Sequence, residues 1–328
     1  MLEKNILAET LYSEGNSLMY EPNPYLEKIR SSAGIRLMIL FGSFFLLLLI
    51  ASLLSLVIND LPIGDSREKQ LGSSILQNVL AFCLPAIIVA KICTKAPVTW
   101  LRLNKPIDIR AFLGVVIVYI ISMPAMDWLI TWNAGVHFPD FLSGLEATFR
   151  EWEDTSNEVS ANLLSAHGFI PVLTGVLVIG VLTGFSEELF FRGALQDIFT
   201  DTKIGNALSV WIVAFIFSSF HFQFFGFVPR LLMGAFFGYL LVWTGSLWPG
   251  CFAHILNNSV IVILAGLNPG NTNMSENISF FPSTSFMPLL SLGLTVLFFI
   301  FLKDFFFVEP NKKLTTWPRK QQPDLSEK

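Results

Sequence analysis

Apolar residues fall in long blocks along this chain, parted by short polar stretches. Blocks near 37–58, 71–90, 111–131, 168–190, 205–222, 228–244, 249–267 and 285–306 each approach the roughly 20 residues that carry a helix across the hydrocarbon at about 1.5 Å per residue. The pattern predicts an all-α fold, a polytopic bundle of about eight transmembrane helices. Its sixth and seventh members are joined by only a few residues around Gly245, Ser246 and Leu247. The spans must shield one another's polar groups, so the bundle reads as one unit. Residues 1–34 are polar and mixed in charge and read as an arm, with at most a short interfacial helix. Between 133 and 167, Phe141, Leu142, Leu145, Phe149 and Trp152 recur at helical spacing, with Glu146, Glu151, Glu153 and Asp154 on other faces. An amphipathic helix lying on the bilayer is expected there; covering a substrate entrance is the alternative.

Composition supports a membrane protein. Of 328 residues, 53% are hydrophobic and only 14% charged, against roughly 25% charged in soluble domains. The net charge of −4 and the lack of a basic patch with interleaved aromatics give no reason to expect nucleic acid as a partner. Cys83, Cys93 and Cys251 are odd in number and lie in or beside apolar runs, which is not a secreted disulfide framework; buried thiols acting as small hydrophobes fit better. The first apolar run begins near Ile35 and is too long for a cleavable signal. Lys91, Lys95, Arg102, Lys105 and Arg110 share a side with Lys4, Lys28, Arg30 and Arg36 and with the basic tail from Lys303 to Lys328, if there are eight spans. The opposite side collects Arg67, Lys69 and Arg150. Both termini are therefore expected in the cytoplasm.

One stretch breaks the apolar pattern most sharply. Gly168 to Ser186 carries no charge, and then comes Glu187-Glu188-Leu189-Phe190-Phe191-Arg192. Charges at helix centres cost at least about 2.5–3.5 kcal/mol each on insertion scales and are rarely kept without a use. Glu188 and Arg192 are one helical turn apart and can pair. Glu187 is rotated about 100° away, so one glutamate is committed and the other keeps a free acceptor. A purely structural Glu/Arg clasp explains this segment equally well. Two further polar sites lie in later apolar blocks. His221 closes Phe217-Ser218-Ser219-Phe220-His221, and His254 and Asn258 share a helix face. His137 and His167 sit in or beside the outer loop, where a solvated role is the default.

Gathered together, these groups would satisfy one another and enclose water. A carboxylate beside a histidine can take a proton from water. A second histidine and an amide can donate to a developing oxyanion. Glu187 with His221 as water activators, and His254 with Asn258 as oxyanion donors, make a complete set for peptide hydrolysis. Glu188 and Arg192 would then position them. Glu187, His221 and His254 could instead ligate a catalytic zinc, and the residues alone do not separate these two mechanisms. Other hydrolytic signatures are missing. There is no His-Glu-x-x-His, Glu188 stands where a Gly-x-Ser-x-Gly elbow needs glycine, and Asp127 has no intramembrane Asp partner. Cys251 shares a face with His254 and is a remote alternative nucleophile. Counted along the expected spans, Glu187 and His254 come out nearer the cytoplasmic face and His221 deeper. Tilt, or a boundary around Thr202 to Asn206, would bring them level.

Glu-Glu-x-x-x-Arg (Glu187, Glu188, Arg192), Phe-x-x-x-His (Phe217, His221) and His-x-x-x-Asn (His254, Asn258), in that order on successive apolar blocks, resemble the CPBP family. These are the CAAX-processing and bacteriocin-processing intramembrane endopeptidases, also called Abi or Rce1-like. The likeness covers about 165–265 and implies an eight-helix bundle that cleaves a membrane-associated peptide or protein. It implies the same roles for Glu187, His221, His254 and Asn258. The family is described both as metalloproteases and as metal-free glutamate proteases; no cofactor is the expectation, with zinc as the alternative. The chain then divides into an arm at 1–34, three helices and the outer loop at 35–164, a core at 165–267, and a last helix with basic tail at 268–328. A bacterial plasma membrane is the expected location, and a leader or toxin peptide is as good a substrate as a prenylated C-terminus. A non-catalytic scaffold or immunity-type partner, and a proton-coupled transporter, are the competing functions. No symmetric pair of broken helices supports the transporter.

Overall fold

The computed structural model describes residues 32–306, apart from 63, 106–108, 166 and 268–285. The expected arm and basic tail fall almost wholly outside the described residues. Among the described residues nine helices carry the architecture: α1 (Ala33–Asp60), α2 (Ser66–Cys93), α3 (Ile109–Ala134), α4 (Ser143–Leu164), α5 (Phe169–Thr200), α6 (Gly205–Ser219), α7 (Phe227–Thr244), α8 (Trp248–Leu267) and α9 (Met287–Phe306). Among the described residues there is no strand. Seven segments of the described residues are long and apolar enough to cross a membrane, and α6 is a shorter apolar helix beside them. The expected bundle is therefore present. Helix starts follow local chemistry: the Ser32 hydroxyl caps α1 at the N–H of Ile35, and Asp65 caps α2 at the N–H of Glu68.

Phenylalanine holds α1, α2, α5 and α6 together. Phe190 packs against Phe44 of α1 at 5.2 Å between ring centroids and against Phe82 of α2 at 5.6 Å. Next to it, Phe191 meets Phe217 of α6 at 5.2 Å. Leu46, Leu49, Leu56, Leu289 and Leu297 face outward and exposed, as lipid-facing residues do.

The largest departure from expectation is the length of α5. Hydropathy predicts an end near 190, but the helix runs to Thr200. Its last turns carry Arg192, Gln196 and Asp197, all buried, and each finds a partner on another element. Arg192 donates to the Gly234 carbonyl (2.9 Å), Gln196 to the Gly238 carbonyl (3.1 Å), and Asp197 accepts from Arg102 (3.0 Å). Satisfied polar groups let the helix continue where an unaided hydropathy profile stops. Its turn at 201–204 then serves as a common origin. Glu187 lies about 20 Å back along α5 and His221 about 24 Å onward past α6, so the two are level.

Close approach of α8 to α5 depends on glycine. A methyl group at Gly184 would sit 3.0 Å from the Ile255 amide nitrogen. Contacts of that kind substitute for hydrophobic driving force between helices in lipid. The stretches Val176–Leu182 and Leu189–Gln196 wind as wide π turns on either side of Glu187 and Glu188, a distortion that recurs at functional sites.

Candidate active site

Glu188 is the centre of the polar cluster. Its Oε1 accepts from Arg192 Nη1 at 2.6 Å and lies 3.0 Å from His254 Nδ1. Arg192 is fully enclosed, its guanidinium carbon 4.5 Å from the Phe217 ring centroid, and its Nη2 reaches the Gly234 carbonyl. A side chain at Gly234 would press on that guanidinium, 3.2 Å away. The expected Glu188–Arg192 pair exists, and His254 is tied to the same carboxylate, which sequence spacing did not indicate.

His254 is gripped on both sides, stacked on Phe237 (5.1 Å, 24°) and met edge-on by Phe217 (5.7 Å). Its free Nε2 stands 3.9 Å from Glu187 Oε2. That oxygen is buried and makes no hydrogen bond, the free acceptor expected at Glu187. A gap of this size is one that a water molecule can bridge. Behind Glu187, Ser186 donates to Asn78 of α2 (2.6 Å), and Asn78 donates to Thr183 (3.0 Å). The backbone carrying the carboxylate is thereby pinned from a neighbouring helix.

His221 follows α6 by two residues, and its Nδ1 is 2.9 Å from the Phe217 carbonyl. A carbonyl only accepts, so Nδ1 carries the hydrogen, and Nε2 of the neutral ring keeps its lone pair. The Phe217 ring is shared by the two histidines, 5.1 Å from His221 and 5.7 Å from His254. No hydrogen bond or ion pair joins His221 to Glu187; the imidazole that approaches Glu187 is His254. Asn258 donates to the Ile179 carbonyl at 3.2 Å and accepts from Asn257 at 3.1 Å.

Glu187, His221, His254 and Asn258 all line one cavity of about 1660 Å³. Its walls combine apolar surface from Tyr119, Met126, Phe236 and Leu264 with a polar end formed by α4 and the α6–α7 connection. Among the described residues no group of three His, Cys, Asp or Glu side chains is close enough to hold a metal ion, so the alternative ligand set of Glu187, His221 and His254 is not gathered in this geometry.

Helix α4 forms where amphipathic spacing predicts it, and one face docks on the α6–α7 connection. Glu153 accepts from the Phe225 N–H (3.2 Å), Arg150 lies 4.0 Å over the Phe225 ring, and Phe149 stacks on Phe224 (5.4 Å). Burial pushes the Glu153 carboxyl upward. Glu146 is the opposite case. The Phe138 N–H, then Arg150 and His137, hold its carboxyl down at about 2. A depressed carboxyl contributes stability above its ordinary value near 4.5 that is lost as pH falls through about 2. Between those limits, acid is expected to free 136–138 from α4 in the wild type, read by hydrogen exchange at Phe138. Glu146→Gln should flatten that dependence, and an unchanged acid profile in the variant would contradict the assignment.

Two further polar features were not singled out from the sequence. Asn257 precedes Asn258 as a second amide in an apolar run. Arg230 is the only charged residue in the block 228–244, a signal as direct as the glutamates.

Residues 169–260 match the family model described as Rce1-like, type II CAAX prenyl endopeptidase. No curated protein and no solved structure matches the chain. The matched segment runs from the first turn of α5 into α8 and contains every residue of the three motifs. The chain is an integral membrane protein whose residues 169–260 are similar to the Rce1-like family of type II CAAX prenyl endopeptidases.

Proposed function

We propose that this protein hydrolyses a peptide bond in the C-terminal region of a prenylated, membrane-associated substrate, using Glu187, His221, His254 and Asn258. The observation that carries the reading is the buried, unbonded Oε2 of Glu187, 3.9 Å from an imidazole nitrogen on the wall of a largely apolar cavity. Water held there loses a proton to Glu187 or to the Nε2 lone pair of His221, and the hydroxide oxygen bonds to the scissile carbonyl carbon. The resulting oxyanion takes hydrogen bonds from the second N–H of Asn258 and from His254 Nε2. Because Nδ1–H of His254 is directed at Glu188, Nε2 can donate only from the doubly protonated ring. As the C–N bond breaks, the abstracted proton passes to the leaving amine. Arg192 and Glu188 hold His254 in place, and Phe217 spaces the two imidazoles. None of these steps calls for a metal.

Apolar wall residues such as Met126, Phe236 and Leu264 suit a lipid-modified ligand. The distribution of Lys and Arg supports cytoplasmic termini. The test is hydrolysis of an internally quenched prenylated CAAX peptide by purified protein in nanodiscs, with and without a zinc chelator. Equal rates in the two conditions are expected. No hydrolysis in either condition overturns the proposal, and activity lost to chelator and restored by zinc overturns the metal-free mechanism.

A further inference from the structure

Arg230 lies one turn into α7 and lines the same cavity as Glu187, His221 and His254. Its guanidinium folds back over Gly226, 3.2 Å from where a methyl would sit there, and donates to the side-chain oxygen of Gln223 at 2.7 Å. Gln223 is neutral. The carboxylates that act on Arg230 are Glu153 and Glu187, and neither comes within ion-pair distance. The other cations on these elements are balanced: Arg192 by Glu188, Arg150 by Glu146. A permanent charge kept inside a membrane bundle without a counter-ion is costly, and a guanidinium fork matches a carboxylate in shape.

We infer that Arg230 is the receptor for an anionic group of the bound ligand, namely the free C-terminal carboxylate of the substrate tail. The inference rests on the proteolytic reading for the identity of the ligand and on the uncompensated guanidinium for the site. It makes the enzyme a reader of chain ends. Three residues span at most about 10 Å, so an arginine on the wall of the same cavity can hold the end of a CAAX tail while the bond upstream meets Glu187. Gln223 aims the guanidinium, and it neighbours His221 in sequence, which couples end recognition to the connection that carries the base. A lipid phosphate offers a similar anion, and the experiment separates the two.

One prenylated CAAX peptide is prepared as the free acid and as the C-terminal amide. Binding to full-length protein in phosphatidylcholine nanodiscs is read by fluorescence anisotropy, and hydrolysis by fragment release. The wild type is expected to bind the acid about tenfold or more tighter than the amide, the scale of a charge-assisted hydrogen bond. Arg230→Gln should bind both at the affinity of the amide, and Arg230→Lys should keep part of the preference. Equal binding of acid and amide by the wild type overturns the inference, as does a preference that survives in Arg230→Gln. Loss of both peptides in both variants marks Arg230 as structural and also overturns it. If phosphatidylglycerol in the nanodisc abolishes the preference, the anion is a lipid phosphate and the chain-end assignment falls. A wild type that prefers the acid but cleaves neither form would refute the proteolytic reading while leaving Arg230 as a carboxylate site.

Discussion

Replacing Glu187 by glutamine is expected to lower peptide hydrolysis by about three orders of magnitude while leaving the fold intact. The substitution keeps shape and removes the charge and the basic oxygen. A positioned general base contributes about 10²–10⁴-fold, and here it acts beside a second ionisable group that the variant still carries. The fold should survive because Glu187 Oε2 makes no hydrogen bond within the protein and His254 keeps its closer carboxylate partner, Glu188, at 3.0 Å. The readouts are turnover of the quenched peptide and thermal unfolding in the same detergent. A variant that turns over at the wild-type rate removes Glu187 from the reaction. One that unfolds many degrees lower would instead make it a structural residue.

Arg192→Met should have the reverse profile, with stability failing first. Its partner Glu188 is fully buried and the two meet at 2.6 Å. Removing one member of a buried pair leaves the other charge uncompensated, at a cost of about 3–5 kcal/mol. His254 is held by the same oxygen, so activity should fall with the fold. Adding Glu188→Gln to Arg192→Met should return part of the lost stability, because the stranded charge goes too. Such non-additivity between contacting residues is expected. Additive losses, measured by unfolding in one detergent for both single variants and the double, would show that the pair is not one unit.

Much of this site is written in short-range spacing. One helical turn between Glu188 and Arg192 gives their bond, and the offset of Glu187 gives its unbonded oxygen. Apolar blocks give the spans. What spacing does not contain is the partnership between distant segments. Hydropathy ends α5 at about 190 because it prices Arg192, Gln196 and Asp197 as if they faced lipid, whereas Gly234, Gly238 and Arg102 receive them. Acid–base chemistry pairs Glu187 with His221 as water activators; the imidazole that approaches Glu187 is His254, because Glu188 draws that ring between the two carboxylates. Arg230 was visible as a lone charge in an apolar run, but its lack of a counter-ion is a three-dimensional fact.

The shortness of α6 has a bearing on solvent supply. Fifteen residues reach about 22 Å, well short of the roughly 30 Å of hydrocarbon. A rod too short for its surroundings draws the leaflet inward, and the dimple lowers the aqueous boundary toward the end of the rod. His221 is attached at that end. The reactant that every hydrolysis consumes can therefore arrive through a dent in the lipid, with no pore running through the bundle.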